Sequence, residues 1–259
     1  MSDSEDLLLN RQGGVATLTL NRPQQFNALS SRLIKALQAA LHEIGSDNDV
    51  RVVIIAGSGK AFCAGHDLKE LRSRDPDLVE SVFSGFSSVM LSLTRLPQPV
   101  IARVHGVAFA AGCQLVAQCD LAVATTGAQF STSGVKYGLF CNTPGVSLAR
   151  NVSRKHALEM LLTGEAIDAH TALARGLVNR VVEPDQLDTA VDALAASIIE
   201  KTPVAVAAGK RTFYEQIDAP LAKAYEVATA AMVCNMMTDD AAEGIDAFSG
   251  KRKPVWKGQ

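Results

Sequence analysis

The sequence predicts an α/β protein, with a core of strands and helices over residues 1–183 and an all-helical C-terminal region over residues 184–259. Two observations predict this class. In the first half of the chain, apolar runs typical of strands alternate with segments of helical period, and this order implies a parallel sheet with right-handed crossovers. After residue 184 the strand signals stop, and four segments of helical pattern follow, divided by Pro or by Asp-rich turns.

The elements of the core can be predicted in chain order. Residues 13–21 alternate with period two, which favours a half-buried strand. Ser30 is a suitable N-cap for the helix predicted directly after it, and the apolar run at 50–59 is typical of a buried parallel strand closed by glycines. The remaining predictions are a helix at about 76–96 and strands at 99–104 and 119–125.

Composition excludes several classes of function. With 47% hydrophobic residues, 20% charged residues and a net charge of -2, the chain has no basic excess for nucleic acid. No apolar run approaches the roughly 18 residues of a membrane span. The first residues resemble neither a secretory signal nor a transit peptide, so a cytoplasmic location is expected. Five cysteines without a CxxC pair favour reduced, packed thiols over disulfides or a metal site.

Nucleotide cofactors are also not expected. The "GSGKA" segment at 57–61 lacks the spacing of a phosphate-binding loop, and no GxGxxG follows a strand.

Two similar turns suggest a binding site. "AFCAGHDLKE" (61–70) and "AFAAGCQLVA" (108–117) each follow a hydrophobic strand, pass through small residues and enter a helix. Backbone N–H groups at such a helix start have no partner within the helix. On neighbouring parallel strands, the two turns would aim two N–H donors at one oxygen, which is an oxyanion hole. The alternative is that the small residues only permit close packing of helix against strand.

The same segments carry a family resemblance. In order and spacing, "NRPQQFNALS", "AFCAGHDLKEL", "GVAFAAGCQLVAQCDLAVAT", "AQFSTSGVKYGLF" and "LTGEAIDAHTALARGLVNRVV" resemble the crotonase superfamily of enoyl-CoA hydratases and isomerases. The resemblance implies a spiral of ββα units, a helical C-terminal region that forms trimers or dimers of trimers, and an acyl-CoA thioester as substrate. Coenzyme A would enter as part of the substrate, with no separate cofactor or metal.

The resemblance also assigns roles to individual residues. The two oxyanion donors fall on the backbone N–H groups of His66 and Ala111. The positions matched to binding of coenzyme A or of the acyl chain are Ala28, Ala64, Gly65, Asp67, Leu68, Lys69, Tyr137, Cys141, Asn142, Phe248 and Lys251. For Lys69 and Lys251, a solvated surface cation is the alternative, and Asp67 is expected to cap the helix that follows it.

The two glutamates that transfer protons in the hydratases of this family are replaced here, by Gln114 and Gly134. Neither residue exchanges a proton near neutral pH, and a positioned acid or base is worth about 10²–10⁴ in rate. Together with "GLFCNTPGV" and "KRKPVW", this pair resembles the subgroup called enoyl-CoA hydratase domain-containing protein 3.

The expected function is therefore that of an enoyl-CoA hydratase-like lyase, which would convert 2-enoyl-CoA to 3-hydroxyacyl-CoA in fatty-acid metabolism by stabilising an enolate. Candidate substitutes for the glutamates are the side chains of His66, Tyr137, Cys141 and Asn142. Each has an alternative: a neutral buried histidine for His66, a packed core position for Tyr137 and Cys141, and a turn residue for Asn142. The other functions left open are a non-catalytic acyl-CoA-binding or regulatory protein and an enzyme of this fold with a different reaction.

Overall fold

The structure is a computed structural model that describes residues 5–259, and within these residues it has ten strands and eleven α-helices. The strands are β1 (Leu7–Gln12), β2 (Val15–Leu20), β3 (Val52–Gly57), β4 (Ala61–Cys63), β5 (Val100–Val104), β6 (Val107–Phe109), β7 (Leu121–Thr125), β8 (Gln129–Ser131), β9 (Ile167–Asp168) and β10 (Arg180–Val182). The helices are α1 (Ser31–Gly45), α2 (Leu68–Leu71), α3 (Pro76–Arg95), α4 (Ala111–Gln118), α5 (Asn142–Asn151), α6 (Arg154–Thr163), α7 (Ala169–Ala174), α8 (Leu187–Ile199), α9 (Pro203–Gln216), α10 (Leu221–Met236) and α11 (Asp239–Ser249).

A six-stranded sheet forms the main core, in the order β1-β2-β3-β5-β7-β10. Its central strands are parallel, as the alternation of strands and helices predicts. The predicted N-cap is confirmed, because the Ser30 side chain accepts a hydrogen bond from the N–H of Leu33. Leu37 of α1 and Phe86 of α3 are buried in the same apolar cluster as Leu18 of β2.

The sheet is not wholly parallel, and this corrects the prediction. Strand β1 pairs with β2 antiparallel, and sequence analysis did not predict β1. The reason is a tight hairpin at Gly13 and Gly14, which have φ angles of 59° and 81°, a conformation that glycine adopts without strain. In the second sheet, described next, strand β9 also pairs antiparallel with β8.

A second, four-stranded sheet, β4-β6-β8-β9, positions the two turns of interest. Strands β4 and β6 are parallel neighbours, so the turns that follow them lie at the same edge. Helix α4 begins directly after the second turn. Its start lies so close to β4 that a Cβ on Gly112 would be 2.1 Å from the carbonyl oxygen of Cys63.

The C-terminal region is helical, as predicted, although the proposed division of the chain at residue 183 stays a prediction. Helix α8 packs Leu187 and Val191 against the outer face of the large sheet, beside Ile54 and Val123. Helices α9 and α10 pack against each other and bury no residue fully. No helix within residues 5–259 combines the length and apolar character needed to cross a bilayer.

A buried ion pair fixes α9 to the core. The Lys210 ammonium group donates to Asp120 at 2.6 Å and to the carbonyl oxygens of Leu93 and Gln98 at 2.7 and 2.9 Å. The Tyr214 hydroxyl donates to the second oxygen of Asp120 at 2.7 Å. Asp120 lies between α4 and β7, and α4 begins at the second of the two turns. This network therefore ties α9 to the segment that directly follows α4.

Candidate active site

A cavity of about 360 Å³ opens beside the two turns, and most of its lining is apolar. Its wall includes the turn after β4, the start of α4, the segment from 133 to 144 and one side chain of α3. The lining residues are Ala64, His66, Leu68, Leu71, Phe83, Ala110, Ala111, Ser133, Gly134, Tyr137, Leu139, Phe140, Cys141, Asn142, Thr143 and Pro144. An apolar pocket with a few polar groups is the usual form of a small-molecule site.

The backbone of the first turn leaves the N–H of His66 free. Leu29 bonds to the residues on either side of His66: its N–H donates to Gly65 at 2.8 Å, and its carbonyl accepts from Asp67 at 3.0 Å. In such a parallel bridge the middle residue directs its own N–H to the opposite side. That N–H has no acceptor among residues 5–259.

The second turn leaves the N–H of Ala111 free through a strained conformation. Ala110, at the N-cap of α4, has φ 49° and ψ -115°, a backbone conformation that favours glycine. Its own N–H donates to the carbonyl of Ser131 at 2.7 Å, whereas the N–H of Ala111 has no acceptor within the described part of the chain. Strain of this kind often marks a functional site.

The two turns are in direct contact. Gly65 has φ 106°, and a Cβ at this residue would lie 3.0 Å from the Cβ of Ala110 and 3.5 Å from the nitrogen of Ala111. The small residues therefore do permit close packing, which was the alternative interpretation. The same packing brings together two cavity-lining residues, His66 and Ala111, whose N–H groups have no acceptor in the described chain, so the two interpretations are compatible.

The imidazole of His66 is buried against aromatic rings. Its ring centroid lies 4.9 Å from that of Phe83 and 5.3 Å from that of Phe86, both edge-on. Neither ring nitrogen has a hydrogen-bond partner within residues 5–259. Burial lowers the pKa of His66 to about 4, and the nearby carbonyl of Leu29 offsets this only in part. The side chain is thus neutral at physiological pH, a weak base with no imidazolium proton to give, which favours the alternative of a neutral buried histidine.

This environment makes stability depend on pH. Between the unfolded pKa of about 6.5 and the folded value of about 4, the unfolded chain holds a proton that the folded chain does not. Stability is therefore lost as pH falls through this window, by about 2 kcal/mol between about pH 7 and about pH 5. Urea unfolding of the wild type and of His66→Phe at both pH values measures the effect. An equal pH dependence in both proteins would contradict the prediction.

Gln114 is one of the two positions at which the resemblance places a glutamate. Its side chain is 3% exposed, it does not line the cavity, and its Oε1 has no partner within residues 5–259. Burial of an unpaired polar atom costs free energy. Sequence analysis placed this residue at a catalytic position and gave no reason to expect it outside the cavity lining.

Gly134, the second of these positions, does line the cavity, but it has no room for a side chain. A Cβ there would lie 2.4 Å from the carbonyl oxygen of Leu139 and 2.7 Å from the Sγ of Cys141. Atoms of Leu139 and Cys141 occupy the space that a side chain at residue 134 would need.

Three further candidates lie along this segment. Tyr137 is 69% exposed at the edge of the cavity, so the core position considered for it is wrong. Cys141 is buried, lines the cavity and precedes α5, and burial raises the pKa of its thiol. Asn142 begins α5, which agrees with its interpretation as a turn residue, and its amide donates to the carbonyl of Phe140 at 3.3 Å.

The remaining predicted residues divide into three groups. Ala64 and Leu68 line the cavity, and Gly65 packs against Ala110, next to the nitrogen of Ala111. The cavity wall does not include Ala28, Asp67 or Lys69. It also lacks Phe248, in the last turn of α11, and Lys251, which follows that helix; both are exposed. Their contact with coenzyme A stays a prediction.

Asp67 caps α2, as expected. Its carboxylate accepts hydrogen bonds from the N–H of Lys69 at 3.1 Å and from Arg22 at 2.9 Å. The same guanidinium also donates to the carbonyl of Ala28. Arg22 and Asp67 thus connect the loop at residues 22–28 to the turn that carries His66.

Several wall residues were not named individually by sequence analysis. They are Leu71, Phe83, Ala110, Ser133, Leu139, Phe140, Thr143 and Pro144. Phe83 comes from the middle of α3, and only the tertiary fold brings it to the cavity. Ala110 could have been found, because it belongs to the small-residue turn that sequence analysis singled out.

Comparison with known proteins identifies many relatives. The family profile described as "Enoyl-CoA hydratase/isomerase" matches residues 10–259. The human protein named "Enoyl-CoA hydratase domain-containing protein 3, mitochondrial" is 47% identical over 244 residues, which cover 94% of this chain and 80% of the relative. The Xenopus laevis protein of the same name is 46% identical over 96% of this chain and 85% of its own length.

Solved structures agree with these sequence matches. A crystal structure described as enoyl-CoA hydratase from Mycobacterium smegmatis has a TM-score of 0.96 and 54% identity, and covers 98% of this chain and 99% of its own. The crystal structure of human enoyl coenzyme A hydratase domain-containing protein 3 has a TM-score of 0.95 and 45% identity. The match covers 97% of this chain and 100% of the human one.

The predicted cytoplasmic location is contradicted. The relatives from Xenopus laevis, Mus musculus, Rattus norvegicus and Homo sapiens are all named mitochondrial. The composition of the first residues was an insufficient basis for that prediction.

Proposed function

Because the chain belongs to the enoyl-CoA hydratase/isomerase family, we propose that its cavity binds an acyl-CoA thioester with the carbonyl oxygen between the N–H groups of His66 and Ala111. The expected membership of the crotonase superfamily and the subgroup resemblance are confirmed, as is the fold. The observation that carries the proposal is the pair of unpaired N–H donors on touching turns, beside an apolar cavity.

The donors would act on charge that develops during reaction. A thioester carbonyl gains negative charge on oxygen as an enolate forms, and two fixed N–H groups stabilise that oxygen without reorganising. The N–H of Ala111 also lies at the positive end of the α4 dipole. The apolar wall strengthens both interactions, since a low dielectric weakens screening.

Hydration of a 2-enoyl-CoA to a 3-hydroxyacyl-CoA is the nominal reaction, and we expect it to be slow. It needs a group that activates water and a group that delivers a proton to the α-carbon. The titratable side chains in the described cavity wall are His66, Tyr137 and Cys141. His66 has no imidazolium proton to deliver near neutral pH, and burial keeps the Cys141 thiol protonated, so the two do not form an acid–base pair equivalent to the two glutamates.

The second candidate function is binding of acyl-CoA without turnover. It is favoured by the same cavity wall, which in the described chain holds no carboxylate and no lysine. Calorimetric titration with crotonyl-CoA and butyryl-CoA, followed by chromatography of the thioester products, separates the candidates. Binding with no product supports a binding protein, hydrated product supports an enzyme, and no binding of either thioester contradicts both.

Restoring the glutamates is expected to fail at both positions, for different reasons. Gln114→Glu is isosteric and should leave the fold intact, but this residue is buried and does not line the cavity, so we expect no gain in crotonyl-CoA hydration. Gly134→Glu is expected to give no gain and to lower the free energy of unfolding by about 1–3 kcal/mol, because its Cβ meets the carbonyl of Leu139. Higher hydration in Gly134→Glu would contradict this view of the segment.

We also propose that the chain assembles as a homotrimer or a dimer of trimers through α9 and α10. The two helices expose a broad apolar face formed by Phe213, Ile217, Leu221, Tyr225, Met232, Val233 and Met236. Apolar patches of this kind usually mark an interface.

The assembly proposal predicts that charges on this face separate the subunits. Tyr225 and Met232 are seven residues apart and share one side of α10. Sedimentation velocity should show smaller species for a Tyr225→Glu, Met232→Lys double variant, whereas Asp192→Lys on the exposed side of α8 should leave the wild-type species unchanged. A wild type that sediments as a monomer would contradict the proposal.

A further inference from the structure

One thiol lies within the candidate site. Cys141 is 8% exposed and forms part of the cavity wall, in the same cavity as the N–H donors of His66 and Ala111. Its Sγ occupies the space that a side chain at Gly134 would need. The backbone of Gly134 also lies within hydrogen-bonding reach of this thiol, and it partly offsets the rise in pKa that burial causes.

The other four cysteines are not placed to meet a ligand there. Cys63, Cys113 and Cys119 are buried in the apolar core, and Cys234 is exposed on α10. None of the four lines the cavity. All five are free, and four of them are buried as sequence analysis predicts, whereas Cys234 is exposed.

From this arrangement, and resting on the proposed function, we propose that Cys141 captures α,β-unsaturated acyl-CoA thioesters covalently, by conjugate addition of its sulfur to the β-carbon. The donors that hold the thioester oxygen make the β-carbon electrophilic, and the sulfur is the nucleophile in the same enclosed space. The substrate class is thus the 2-enoyl thioesters, as distinct from saturated acyl thioesters.

The step balances without a further reactant. The sulfur gives an electron pair to form the S–Cβ bond, and the π pair of the Cα=Cβ bond moves to form the enolate, whose oxygen accepts hydrogen bonds from His66 and Ala111. Because burial keeps the thiol protonated, its proton passes to the α-carbon as the S–Cβ bond forms, so the net change is addition of S–H across the Cα=Cβ bond and no separate base has to hold the proton. The product is a saturated thioether that still carries coenzyme A, and elimination in the reverse direction regenerates both partners.

Attack at the β-carbon is favoured over attack at the carbonyl carbon. Sulfur is a soft nucleophile, and the conjugated β-carbon is the softer electrophilic centre of an enoyl thioester. Attack at the carbonyl would expel the thiolate of coenzyme A and leave an acyl group on Cys141. The two routes therefore differ in mass, because only conjugate addition retains coenzyme A.

The experiment uses the full chain and intact-protein mass spectrometry after acid quenching. We expect incubation with crotonyl-CoA to add the mass of one crotonyl-CoA per chain, and peptide mapping to place it on Cys141. Butyryl-CoA, which has the same chain length but no double bond, is expected to add nothing. Cys141→Ser and Cys141→Ala are expected to lose at least tenfold in adduct, whereas the exposed-thiol control Cys234→Ser keeps it.

Binding of butyryl-CoA, measured by calorimetry, confirms that each variant retains a folded site. Several outcomes would overturn the proposal: no adduct in a wild type that binds both thioesters, a mass gain of the acyl group alone, or an adduct mapped to Cys234. The first of these leaves the proposed function standing. Failure of the wild type to bind either thioester would instead reject the proposed function and the capture of enoyl thioesters with it.

Discussion

His66→Pro is expected to reduce kcat/KM for crotonyl-CoA hydration by about 10²–10³-fold, the usual cost of removing one oxyanion donor. Proline has no N–H, so the substitution deletes this donor. The bridge between Leu29 and His66 directs the N–H of His66 away from Leu29, which leaves it free to bind the thioester oxygen. Steady-state assays of crotonyl-CoA hydration measure the effect, with enzyme concentrations high enough to follow a slow reaction.

The matched control is His66→Ala, which removes the imidazole but keeps the N–H. Because burial lowers the pKa of His66 to about 4, the imidazole is neutral near neutral pH and has no imidazolium proton to deliver, so most of the activity should remain. Equal losses in the two variants would show that the imidazole matters and that the backbone donor does not.

Gly112→Ala is expected to be the most damaging single-methyl change near the site. The added Cβ would lie 2.1 Å from the carbonyl oxygen of Cys63, so the start of α4 must move away from β4. Overpacking of this kind costs about 1–3 kcal/mol in the free energy of unfolding. Since Ala111 is the preceding residue, its N–H moves too, and thioester binding should weaken. Urea unfolding and calorimetric titration measure the two effects.

Gly127→Ala provides the control for Gly112→Ala. A Cβ at Gly127 would meet nothing within 4 Å, so stability and binding should stay close to those of the wild type. If Gly112→Ala retained wild-type stability and affinity, the close contact between α4 and β4 would not be what fixes the donor.

The sequence predicts the elements whose signals are local. The N-cap at Ser30 and the small-residue turns at 64–67 and 110–112 can be recognised because capping and close approach depend on a few adjacent residues. The missed strand at Leu7–Gln12 also had a local signal, since Gly13 and Gly14 separate it from an alternating segment.

The rest of the site depends on long-range packing. Phe83 reaches the cavity only because α3 packs against the turn that carries His66. The crowding of Gly134 by Leu139 and Cys141 arises from the path of a loop, which no residue pattern reveals. For the same reason, sequence alone could place a glutamate position at Gly134 without showing that a side chain no longer fits there.

The oxyanion hole is tested most directly by the carbonyl stretching frequency of a bound thioester. The thioester carries carbon-13 at its carbonyl, and the band is measured by isotope-edited infrared difference spectroscopy. If two N–H groups hold the oxygen, the band of bound butyryl-CoA shifts to lower frequency than in water, and the shift shrinks in His66→Pro but persists in His66→Ala. A bound thioester whose carbonyl band matches that in water would contradict the oxyanion hole.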